Sequence, residues 1–151
     1  MSHNGNRGKT FYGGKEVEFD LPKGWQVLAM AEPKKASELS DIAGAVKKAL
    51  RTPIGAKPLE KLIKPGQKVA IISEDQTRPS PVGKVVLPLL EELNQLGIPD
   101  SAVTILSGRG THRPPTPEEL ASKLGTEVVK RVRVGIHDAD DKANLVRMGT
   151  T

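Results

Sequence analysis

Cysteine is absent from this 151-residue chain, which rules out disulfide staples and thiolate metal sites. Aromatic residues are scarce: Phe11, Tyr12, Phe19 and Trp25 are the full set. A core must therefore come from Val, Ile, Leu and Ala, the composition expected where helices cover a parallel sheet. No apolar run is long enough to cross a bilayer and nothing resembles a signal peptide, so a cytoplasmic protein without a membrane partner is expected. Charge is plentiful: 27% of residues are charged against 36% hydrophobic, ordinary for one soluble globular domain of this length.

The net charge of +5 raises nucleic-acid binding as a reading. The basic residues, however, occur as doublets (Lys34-Lys35, Lys47-Lys48, Lys130-Arg131) scattered among acidic ones, with no aromatics between them for base stacking. A solvated surface that helps attract an anionic ligand is expected instead, and no nucleic-acid partner.

Residues 1–14 are polar and glycine-rich and read as a flexible N-terminal tail or tag remnant, leaving 15–151 as the folded domain. Val17, Phe19 and Leu21 alternate with polar residues as in a half-buried strand, and Trp25 to Met30 suits its hairpin partner across Pro22-Lys23-Gly24. Ser40 is placed to cap a helix from Asp41 to about Leu50, and Pro58 to Ile63 reads as a short helix. Val69 to Ser73 and Val103 to Leu106 are β-branched runs of strand length. Between them Val82, Val85, Val86, Leu89, Leu90, Leu93 and Leu96 recur at helical spacing, with Pro88 expected to kink the helix. Thr116-Pro117-Glu118-Glu119 is a capping box opening a helix to about Leu124, followed by a helical turn from Glu127 to Arg131. Val132 to Ile136 and Leu145 to Met148 read as further strands. The alternation predicts an α/β fold: a three-layer sandwich on a mostly parallel, mixed sheet, Rossmann-like. The end at Thr151, just after an expected strand, reads as a cut chain.

Two polar loops follow the first two sheet strands, at the strand ends where ligands bind in open α/β sheets. Glu74-Asp75-Gln76-Thr77-Arg78-Pro79 offers a carboxylate, a hydroxyl and a guanidinium. Asp75 and Thr77 either satisfy loop amides or meet ligand hydroxyls, and Arg78 is either a surface charge or a grip on a carboxylate or phosphate. Ser107-Gly108-Arg109-Gly110-Thr111-His112-Arg113-Pro114 offers a flexible glycine turn, two guanidiniums and an imidazole. Its spacing fits neither a phosphate-binding Walker loop nor a dinucleotide fingerprint. His112 is favoured as a proton-transfer residue, because imidazole titrates near neutrality and Arg109 and Arg113 would attract an anion beside it. His137-Asp138-Ala139-Asp140-Asp141 reads as a polar Asx-type turn rather than a metal cluster, and His3 lies in the tail.

Pro53-Ile54-Gly55, Asp75-Gln76-Thr77-Arg78-Pro79-Ser80-Pro81, Gly110-Thr111-His112-Arg113-Pro114-Pro115-Thr116-Pro117-Glu118-Glu119-Leu120 and the His137-Asp138 turn occur in that order. Together, over roughly Glu16 to Thr151, they resemble the N-terminal domain of the nickel-dependent lactate racemase family. The resemblance implies a racemase or epimerase of small 2-hydroxy acids that uses a nickel-pincer nucleotide. In that chemistry hydride leaves the substrate carbon while a histidine takes the hydroxyl proton, and the keto acid is then reduced on either face. By the resemblance His112 is one of two acid/base histidines and Arg78 holds the substrate carboxylate. Asp75, Thr77, Gly110 and Thr111 meet cofactor or substrate. The second histidine, the lysine joined to the pincer and the nickel ligand are implied to lie beyond Thr151, in a C-terminal domain absent here. The chain alone would then carry no metal and be inactive. The other reading from the residues themselves is a non-catalytic α/β module that binds a phosphorylated or carboxylated metabolite.

Overall fold

The computed structural model describes residues 7–25, 28–29, 31, 34 and 36–150, in two compact units, Met1–Glu38 and Leu39–Thr151. The first unit is an antiparallel hairpin of β1 (Arg7–Tyr12) and β2 (Lys15–Asp20), in register from Arg7 opposite Asp20 to Tyr12 opposite Lys15. Six of the fourteen residues of the expected tail thus form a strand. Gly13 and Gly14 both adopt positive φ, 58° and 78°, as the tight hairpin turn that matches strand twist requires. Lys9 meets Glu16 at 2.8 Å and Glu18 at 3.1 Å across the ladder, and the Phe19 ring lies over Gly8 where a Cβ would otherwise stand. Every residue of β2 is exposed, so the strand is not half-buried as its alternation suggested. Its partner is the segment before it: Trp25, Leu28 and Ala29 are not in a strand, and Gln26, Val27 and Met30 lie outside the described residues.

The second unit holds a parallel three-stranded sheet in the order β3 (Val69–Glu74), β4 (Val103–Gly108), β5 (Arg133–Ile136). Around it lie α1 (Ile42–Arg51), α2 (Leu59–Leu62), α3 (Val82–Gln95), α4 (Pro117–Leu124) and α5 (Thr126–Arg131). The α/β class and the parallel sheet are as expected. Two crossovers moving the same way along the sheet put their helices on one face. That face is closed by Val86, Leu90 and Leu93 of α3, Leu124, Val128 and Val132, packed on Val103 and Ile105. The described residues give this one helical layer; on the opposite face Ile72 remains 79% exposed.

Local chemistry accounts for the element ends. The α1 cap is Asp41 rather than Ser40: its Oδ1 accepts from the Gly44 amide at 2.8 Å. Pro88 is buried inside α3, whose helix continues through it; the carbonyl four residues back belongs to the exposed Lys84, where water can serve it. Thr116 and Glu119 form the expected capping box with Pro117 at the first position. Leu145 to Met148 is not a strand; Val146 and Met148 are exposed, and alternation without a neighbouring ladder makes no strand.

Candidate active site

Strand periodicity sets the site. Along β3, Val69, Ile71 and Ser73 face the helices, and Asp75, next in phase beyond the strand, is 4% exposed. Along β4 the same face carries Val103, Ile105 and Ser107, then Arg109 at 7% exposed. Paired in register, Ser73 opposite Ser107, the two strands bring Asp75 and Arg109 to the same rim.

Asp75 organises the first loop. Its Oδ1 accepts from the Thr77 amide at 3.1 Å and the Thr77 hydroxyl at 2.7 Å, and its backbone carbonyl accepts from the Arg78 amide at 3.4 Å. Its Oδ2 accepts from Nδ1 of His112, 37 residues later. The hydrogen bond from His112, aided by Thr77 and opposed by burial, holds the Asp75 carboxyl below its ordinary range. A proton on Nδ1 leaves Nε2 as the acceptor of the neutral ring.

The second loop is a tight turn in which the His112 amide donates to the Arg109 carbonyl at 3.1 Å. Gly110 takes φ +58° there, with nothing within 4 Å of the place a Cβ would occupy. Arg109 donates to the His112 carbonyl and to Asp138 Oδ1 at 2.5 Å, while its buried Nε has no partner. Asp138 also accepts from the Asp140 amide at 3.0 Å, the Asx-type turn expected from sequence. Arg113 makes a two-pronged pair with Glu119 at 2.6 and 2.8 Å, and that guanidinium holds the Glu119 carboxyl down at about 2.

Both loops wall one cleft of about 340 Å³, lined by Asp75, Arg78, Gly110, Thr111 and His112 among others. Arg78 also lines an adjoining cleft of about 600 Å³ against α3 and α4. Of the residues singled out from sequence, Thr77 does not reach the first cleft; its hydroxyl is spent on Asp75. Asp75 has both oxygens engaged within the chain, behind His112, rather than left open for ligand hydroxyls. The expectation that Arg109 and Arg113 attract an anion is corrected, since each already holds a carboxylate. The guanidinium with no carboxylate partner among the described residues of these loops is that of Arg78. Sequence reasoning missed Arg109 as the clamp of its own loop. The signal was its period-2 phase with Val103, Ile105 and Ser107, which marks it as inward-facing.

The family described as lactate racemase N-terminal domain matches residues 12–151. The lactate racemase of Lactiplantibacillus plantarum is 36% identical over 104 residues, covering 69% of this chain and 24% of that protein. The lactate racemase of Thermoanaerobacterium thermosaccharolyticum is 32% identical over 141 residues, 92% of this chain and 33% of that protein. A solved structure of the lactate racemase apoprotein from the latter organism superposes with a TM-score of 0.69 at 30% identity, covering 94% of this chain and 32% of that one. The chain spans about a quarter to a third of the length of these relatives.

Proposed function

The chain belongs to the family of lactate racemase N-terminal domains, and we propose that it supplies the carboxylate anchor and one acid/base histidine of a 2-hydroxy-acid racemase. The observation that carries this reading is the cleft shared by His112 and Arg78, with Asp75 bonded behind the imidazole. Arg78 binds the carboxylate of a small hydroxy acid through its planar fork of donors. His112 takes the hydroxyl proton at Nε2 while Asp75 keeps the Nδ1 proton in place and stabilises the imidazolium that forms. Returning that proton completes the exchange.

The nickel-pincer nucleotide is the cofactor this family resemblance implies, and it would supply the acceptor for hydride when bound. The rim fits the polar edge of a nucleotide: Gly110 leaves open space beside its backbone, and Thr111 is exposed next to it. These two residues would meet the group. Among the described residues no group of three or more His, Cys, Asp or Glu side chains is placed to hold a metal ion.

The test is racemisation of L-lactate by the whole gene product supplied with cofactor, read as loss of optical purity. His112→Ala is expected to lose nearly all turnover while keeping the fold, its melting point lowered only by the hydrogen bond lost to the buried Asp75. Near-normal turnover in that variant would refute the assignment. Lactate binding without turnover in any form would instead leave an anion-binding module.

A further inference from the structure

We infer that Lys123 of α4 is the positioning residue for Arg78, an inference that rests on the carboxylate-anchor reading above. The Lys123 side chain is only 7% exposed, an uncommon place for an ammonium unless its donors are fully used. They are used on the segment bearing Arg78. Nζ donates to the Arg78 carbonyl at 2.6 Å, to the Ser80 carbonyl at 3.1 Å and to Glu74 Oε1 at 2.6 Å, 43 to 49 residues back along the chain.

Ser80 Oγ, at 3.4 Å, is a fourth acceptor; two of the four are main-chain carbonyls, so the contact fixes backbone rather than merely neutralising Glu74. Residue 78 is held at both ends: its amide donates to the Asp75 carbonyl at 3.4 Å, and its carbonyl accepts from Lys123. Pro79 then restricts the conformation of residue 78 further. The peptide is pinned, and the guanidinium is left to the cleft it shares with His112.

The same helix holds the other loop. Glu119 lies one turn before Lys123, on the same face, and takes the two-pronged pair from Arg113 directly after His112. One short helix therefore grips the backbone that carries Arg78 and the arginine that follows His112.

The test uses isotope-labelled 151-residue chain, L-lactate as the probe, and nuclear magnetic resonance read at the Arg78 and His112 signals. Lys123→Met is expected to speed amide exchange at Thr77 and Arg78 and to weaken lactate about tenfold, the scale of one lost charge-assisted contact. Amides of β4 and α3 should keep their protection. Lys123→Arg, which retains charge and donors, is expected to bring affinity back to within about threefold, because a hydrogen-bonded carbonyl tolerates either cation. Where Lys123→Met gives no dispersed spectrum, Lys123→Gln carries the test with the same expectations.

Wild-type affinity in the folded Met or Gln variant would overturn the inference, as would loss of protection spread evenly over the core. Wild-type chain showing no lactate-dependent shift at Arg78 would instead remove the anchor reading and this inference with it. The two failures are distinguishable by which protein fails.

Discussion

The two loops at the sheet rim have similar ingredients and opposite fates. In the second loop both arginines are consumed within the fold, Arg109 by Asp138 and Arg113 by Glu119. In the first loop Arg78 donates its amide and lends its carbonyl, and its guanidinium is left to the clefts. The second loop thus spends its positive charge on rigidity and presents an imidazole; the first presents a charge on a pinned backbone. Counting arginines near a histidine overstates what an anion meets, because a paired guanidinium has little left to offer it.

The largest effect separates the loops by chemistry. His112→Ala is expected to cut racemase turnover by about 10²–10⁴-fold, the usual contribution of a positioned acid/base group. Asp75→Asn should follow at roughly 10²-fold, because an amide can donate to Nδ1 and so favours the tautomer with its proton on Nε2. Both variants should bind lactate within a few-fold of wild type, so kcat falls while KM stays near its value. A KM effect without a kcat effect at Asp75 would show that it touches substrate directly.

The next prediction sets one arginine against another. Arg78→Ala is expected to weaken lactate by about ten- to a hundredfold, as losing a charge-assisted pair should. Arg113→Ala should change it by no more than about threefold, its charge being already matched by Glu119. Titration of each variant with L-lactate decides; equal losses would mean that net charge, and not one anchor, binds the acid.

Much of this arrangement was legible in the sequence. The runs Val69–Ser73 and Val103–Leu106 marked the strands, and Thr116 with Glu119 marked the start of α4, because strand period and helix capping are local rules. The loops could therefore be placed at one rim. Their internal pairings could not: Arg109 meets Asp138 29 residues on and Asp75 meets His112 37 residues on, partners that only the tertiary fold selects. The hairpin of the first unit was half missed for another reason. Arg7–Tyr12 lacks a buried alternation, and the signal lay in Gly13-Gly14, whose paired positive φ angles form the turn. Leu145 to Met148 erred the other way, an alternating pattern with no ladder to join.

The support beneath the loops gives a smaller, purely structural prediction. Gly83 in the first turn of α3 meets the end of α4 backbone to backbone: a Cβ there would stand 2.5 Å from the Leu124 carbonyl oxygen and 3.0 Å from the Gly125 nitrogen. Neither neighbour is a flexible side-chain tip. Gly83→Ala gains helix propensity but must push α3 from α4, and a net loss of about 1–3 kcal/mol is expected from the overpacking. Thermal or denaturant melting measures it; a more stable variant would mean that the helices part easily and that the grip of α4 on both loops is loose.

The smallest effect concerns acid, and its sign follows from Glu119. Arg113 holds this carboxyl at about 2 against an ordinary 4.5, so the fold favours the ionised form. The stabilisation is complete above about pH 4.5 and is lost progressively as pH falls toward 2. Asp75, lowered in the same direction, adds its own loss below 3.8. Glu119→Gln keeps an oxygen that can accept from the Thr116 amide, which Glu119 does at 2.8 Å, so the substitution spares the cap while removing the charge and one prong of the Arg113 pair. The variant should melt slightly below wild type at pH 7, and the gap should close as pH approaches 2. Because the pair is exposed, added salt should narrow the gap at pH 7 as well. A gap independent of both pH and salt would mean that the capping geometry, rather than the Arg113 charge, secures the second loop.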